Sequence, residues 1–359
     1  MSHRSPIEPA PDSNGTGMTG LYNLPTVGKQ RPAVGRAKAF LWFVLWVAGT
    51  AAALTGLIDV DAGVDVPDRV APAGSALLTV LFMVALAHRC GGRVLLWGGL
   101  AFVAAATWLV WDPSWLTAGM AVVGAVSSGV LAVMLTRPAR TWWSATFEAL
   151  VAAVIAGTGA IAVAGFEADV LTQRYNITVH ILALILTISV VWGLGAGLHG
   201  LGRRGFATIL GGAVLVLVVL MYGAVLRSYG SSAVTEAVDD TVGWMRDTFG
   251  GVPRPSEVLV GFPALVWGVS TRSSRRQGWW MCAFGVIGTG TIATSLVSPD
   301  AVVDYVALSS VYSVILGILL GLVVRRIDQM LTGGSGRRAR RSEAVAQIRP
   351  EPPRTAALR

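Results

Sequence analysis

Residues 227–257, RSYGSSAVTEAVDDTVGWMRDTFGGVPRPSE, form the one long polar segment between two strongly apolar runs. Val234, Val238, Thr241, Val242, Met245 and Phe249 recur every three or four residues, with Glu236, Asp239, Asp240 and Asp247 between them. That period predicts an amphipathic helix over 233–249. Gly250 and Gly251, then Pro253 and Pro255, close it. Flanked by membrane, such a helix is expected to lie on the outer face, inside an outer loop at 227–256. Glu236, Asp239, Asp240, Met245 and Phe249 make it a candidate partner surface.

Working outward, the composition is that of membrane. The chain has 359 residues, 53% hydrophobic and 13% charged, with mean hydropathy +0.63. Soluble domains carry about 25% charge, so the expected class is an all-α, polytopic integral membrane protein. Cys90 and Cys282 are the two cysteines, too few for a disulfide framework or a thiolate metal site.

Apolar runs fall near 38–58, 71–88, 94–111, 116–135, 144–164, 178–198, 206–226, 256–270, 279–298 and 305–324, a bundle of about ten transmembrane helices. Arginine and lysine alternate between connections. One set holds Lys29, Arg31, Arg36, Lys38, Arg89, Arg93, Arg137, Arg140, Arg203, Arg204, Arg272, Arg275, Arg276, Arg325 and Arg326; the other holds Arg69, Arg174, Arg227, Arg246 and Arg254. The positive-inside bias then puts both termini in the cytoplasm. Residues 1–37 read as a disordered cytoplasmic tail without a signal peptide, 38–326 as the transmembrane domain, and 327–359 as a basic, Pro-rich cytoplasmic tail. The excess of positive charge, +8, follows this topology. Partners are therefore the lipid bilayer and possible envelope membrane proteins of a bacterial plasma membrane, with no nucleic acid expected. The span at 256–270 is short, and re-entry into the membrane is the alternative to a full crossing; re-entry would break the arginine alternation.

No Asp, Glu, Lys or Arg falls near the middle of a predicted span, which argues against an ion-driven relay built on such groups. Small residues stripe the ninth and tenth runs, including Gly285, Gly288, Gly317 and Gly321, as expected where helices pack closely in lipid. Hydroxyls are frequent there too. His180, Thr187, Tyr222, Thr291, Ser295, Ser309 and Tyr312 are the candidate polar path.

On the outer side, Asp59 and Asp61 follow the first run, and Asp300 and Asp304 stand four apart before the tenth; these are the candidate outer acidic site. An acidic pair just outside the first span resembles the polytopic glycosyltransferases that use lipid-phosphate sugars. That resemblance implies Asp59 or Asp61 as base or metal-organising residue. It covers only this spacing: the first outer loop is shorter than in that family, and no large outer domain follows. Phosphate-loop, H-E-x-x-H and G-x-S-x-G patterns do not occur, and no cofactor or resident metal is expected.

Three functions fit this reading. A transporter or permease-like protein for a small or lipidic substrate comes first, with about ten spans dividing into two halves of inverted topology. A non-catalytic scaffold or accessory subunit for envelope assembly is the alternative. An outer-face transferase is the third.

Overall fold

In hydrocarbon every backbone N–H and C=O must find a partner within its own segment, so apolar runs fold as helices. The computed structural model describes residues 32–58, 67–194, 214, 232–272, 279–298, 300–332 and 352–358. Its helices are α1 (Pro32–Leu54), α2 (Val70–Arg89), α3 (Val94–Trp111), α4 (Ser114–Met134), α5 (Trp142–Ala164) and α6 (Thr172–Gly193), followed by α7 (Ser232–Phe249). A π-helical turn, Ser256–Gly261, runs into α8 (Phe262–Arg272), and α9 (Trp279–Ala293) and α10 (Val303–Thr332) complete the order. Among the described residues there are no strands.

Seven of these helices are long and apolar enough to cross a membrane, and two shorter apolar helices, Ser256–Thr271 and Met281–Ala293, accompany them. The chain is thus a multi-pass, membrane-embedded helical protein. Of the expected run at 206–226 only residue 214 is described. The first helix starts at Pro32, earlier than the run at 38–58; proline suits a first helical turn because its missing N–H has no intrahelical acceptor.

The centre of the bundle is α4, which packs on α2, α5, α6 and α9, while α9 packs on α4, α5, α6 and the π turn. The core is built from small residues such as Ala121, Ala125, Ala152 and Ala156, all fully buried, as close helix approach in lipid requires. Peripheral α1 is tied inward by two indoles: Trp42 donates to Leu81 O (3.3 Å) and Trp46 to Thr158 Oγ1 (3.1 Å). Its outer face exposes Phe40, Leu41, Phe43 and Val47, a surface suited to acyl chains. Trp111 and Trp115 flank the α3–α4 turn and are also exposed, as amphipathic rings at the ends of membrane helices commonly are.

The predicted amphipathic helix is α7. Glu236, Asp239, Asp240 and Phe249 are exposed and Met245 is half-buried. Its C-terminal end rests on the start of α10: the Arg246 guanidinium stacks over Tyr305 at 5.1 Å, and the Phe249 and Tyr312 rings meet edge to face at 6.4 Å.

Candidate functional site

The loop between α7 and the π turn contains Pro253 and Pro255, which bring no N–H of their own, so its remaining donors must be met from outside. α10 supplies the acceptors. Val252 N–H donates to Ser309 Oγ (3.0 Å) and Arg254 N–H to Ser313 Oγ (2.7 Å), four residues apart on one helix face. In return Tyr312 OH donates to Phe249 O at 3.0 Å. The loop lies so close that a Cβ on Gly251 would come within 2.8 Å of Ser309 N.

Next comes the break in the helix. Phe262 N–H donates to Glu257 O, five residues back, the hydrogen bond of a π turn. Pro263 supplies a cause: a proline ring clashes with the carbonyl four residues before it and offers it no hydrogen, and the wider turn relieves both. The turn is pressed against α9 at Gly261 and Gly288, where backbones touch. A Cβ on Gly261 would lie 2.3 Å from Gly288 Cα.

This break presents an ion pair whose carboxylate is buried and whose arginine reaches the surface. Arg254 Nη1 donates to Glu257 Oε1 (3.0 Å) and also to Ser310 Oγ (3.2 Å). Glu257 is 0% exposed, and its Oε2 has no hydrogen-bond donor among the described residues. The Ser313 hydroxyl beside it gives its proton to Ser309 O (2.7 Å). A carboxylate inside a membrane protein is costly unless paired, and this one is half paired.

On the other side of the turn, Ser256 Oγ lies 3.3 Å from Thr291 Oγ1 on α9, and Thr291 Oγ1 lies 3.2 Å from His180 Nε2 on α6. His180 Nδ1 is 2.7 Å from Asn176 O; a carbonyl only accepts, so that nitrogen carries a hydrogen. Nε2 faces both a hydroxyl and Ile287 O, 3.3 Å away, and can donate or accept according to its own proton. A polar chain therefore reaches from α6 through α9 to Ser256, and a separate one, the Arg254–Glu257 pair, joins the same turn to Ser310 on α10.

Of the predicted path, His180 and Thr291 are in contact, and Ser309 and Tyr312 both hold the 249–254 loop. Thr187 is fully buried with its hydroxyl unpartnered among the described residues, and Ser295 is half-buried with no contact to this group. Tyr222 lies outside the described residues, as do Asp59 and Asp61. Asp300 and Asp304 are exposed, and among the described residues no three His, Cys, Asp or Glu side chains converge as for a metal.

One sequence expectation needs correction. The candidate polar path contains no charged group, yet the structure places a carboxylate, Glu257, wholly enclosed beside Ser313. The missed residues Arg254, Ser256 and Glu257 do carry a signal. An Arg and a Glu three apart, following prolines and opening an apolar run, are spaced to pair on one helical face.

Comparison with family models, with curated proteins and with solved structures gave no match.

Proposed function

We propose that the chain crosses the plasma membrane about ten times with both termini cytoplasmic, and that it is a permease-like protein for a small or lipidic substrate with a polar group. One observation carries this reading: an interrupted helix presents a buried carboxylate with one oxygen unpaired beside a guanidinium and serine hydroxyls, with an imidazole and a threonine hydroxyl on the other side of the same turn. Broken helices flanked by polar side chains are how transporter folds build substrate sites away from water. In this reading Arg254 and Glu257 bind the polar group, and the loop pinned by Ser309, Ser313 and Tyr312 closes the outer end. Movement of that loop would open it.

The alternative is an accessory subunit, favoured by the exposed acids Glu236, Asp239 and Asp240 and the exposed rings of Trp244 and Phe249 on α7. The transferase reading would rest on Asp59 and Asp61.

Native mass spectrometry of protein extracted in mild detergent separates the first two. The permease reading expects a reproducible small molecule or lipid on the wild-type protein and its loss in Glu257→Gln. Fixed stoichiometry with other membrane proteins, lost when 232–249 is deleted and kept in Glu257→Gln, would instead establish the accessory role.

A further inference from the structure

At the end of the bundle remote from α7, arginine side chains turn inward. Arg89, the last residue of α2, is 1% exposed. A guanidinium has five N–H donors and no acceptor, so burying it requires converging carbonyls. One comes from the bundle: Arg89 Nε donates to Met134 O at 3.0 Å. Two others come from the far end of the chain, because Arg89 Nη1 donates to Pro353 O (2.8 Å) and Ala356 O (2.7 Å). These carbonyls converge because residues 353–356 form a turn, with Ala356 N–H donating to Pro353 O at 3.0 Å.

The same segment is gripped at three further points. His88 Nε2 donates to Thr355 O (3.2 Å), and Leu358 N–H donates to Arg89 O (2.9 Å). The Arg354 guanidinium pairs with Glu148 Oε1 and lies 5.2 Å over the Phe147 ring. Glu148 is aimed by its other oxygen, which accepts Arg137 N–H at 2.9 Å. The Leu358 side chain packs against the main core. The ends of α2, α4 and α5 thus provide guanidinium and imidazole N–H donors for a backbone turn, a carboxylate and an aromatic ring for an arginine, and an apolar seat for a leucine.

We propose that this end is a peptide-binding site whose ligand is the chain's own C-terminal segment, held as a releasable latch. The geometry is that of recognition between separate pieces: the contacts are to helix ends, and Pro353 and Thr355 remain exposed. Residues 333–351 join the segment covalently to α10, which makes its binding intramolecular and raises its effective concentration at the site. A peptide whose own affinity is only millimolar is then retained. Release withdraws two acceptors from a buried guanidinium, so the latch state is communicated to α2 and, through Met134, to α4.

Hydrogen exchange of the full-length protein in detergent tests this, read on the fragment covering 352–358. Exchange there is expected to be slow, and faster by about tenfold or more in Glu148→Gln and in Arg354→Glu, the worth of a charge-assisted hydrogen bond. Adding the free peptide EPPRTAALR at millimolar concentration should accelerate it in the wild type, and a scrambled peptide should not. Exchange that ignores the free peptide makes the segment a fixed part of the fold and overturns the latch. Exchange unchanged by both substitutions overturns the site itself. Both variants fold or fail visibly in the same experiment, since the protection of α4 and α5 is read alongside.

Discussion

Arg254 and Glu257 are 3.0 Å apart across less than one helical turn, yet only the arginine reaches the surface, 22% exposed against 0% for its partner. The burden of burial therefore falls on the carboxylate. Removing the arginine strands it, and removing both charges does not.

Arg254→Ala is expected to cost about 3–5 kcal/mol, the penalty for leaving one member of a buried pair. The double variant Arg254→Met/Glu257→Met should recover most of that loss, because two apolar side chains need no partner. Unfolding midpoints in detergent measure both. A double variant no more stable than Arg254→Ala would mean that the arginine acts through something other than Glu257.

Gly261→Ala should destabilise by at least about 1–3 kcal/mol, since the added methyl meets Gly288 Cα at 2.3 Å and backbone cannot rotate aside. Gly157→Ala, on α5 with nothing within 4 Å of the added methyl, should instead leave stability unchanged or raise it by up to about 1 kcal/mol. Thermal unfolding of the two variants side by side checks the contrast.

Thr291→Val keeps the shape of the side chain and deletes the hydroxyl between His180 and Ser256. Interhelical hydrogen bonds in membranes are worth about 0.6 kcal/mol on average and rarely more than about 2, so a small loss is expected. A second Ser256→Ala substitution should add little to it, because the two share one interaction. Fully additive losses would show that they act separately.

Cys90 is half-buried at the end of α2, and Cys282 is 7% exposed within the core. With the proposed orientation, a membrane-permeant maleimide labels Cys90 in intact cells, and an impermeant one labels it only after lysis. Cys282 should stay unmodified until the protein is denatured. Labelling of Cys90 by the impermeant reagent from outside would invert the topology.

Hydropathy made the long helices legible, because each apolar run had to satisfy its own backbone. The amphipathic period over 233–249 likewise gave α7 to within a residue. The short eighth run was visible as a length, about 24 Å for Ser256–Thr271 at 1.5 Å per residue. Its π turn was not, since that depends on where the Pro263 ring meets the preceding carbonyl and on how closely α9 approaches. The hydroxyls of Ser309 and Thr291 were picked out by composition, but what they bond could not be: Ser309 meets a backbone N–H 57 residues away in sequence. The enclosure of Glu257 was not legible, because a carboxylate at the edge of an apolar run reads equally well as solvated and only the packing of α10 against the turn buries it. The tail's docking left almost no trace, since PPRTAAL has no period and most of its contacts are through main-chain atoms.

That last property bears on how this protein can change over generations. Arg89 and His88 hold the segment by carbonyls that any residue would offer at the same positions, so substitutions at Thr355 and Ala357 are invisible to the grip. Selection for docking would act on Arg354, on the apolar character at 358 and on the turn that gathers the carbonyls. The tail can thus drift in letter while staying fixed in shape. Relatives in which it serves the same purpose would be recognised by an arginine and an apolar residue four positions apart, joined to a buried arginine at the end of the second helix.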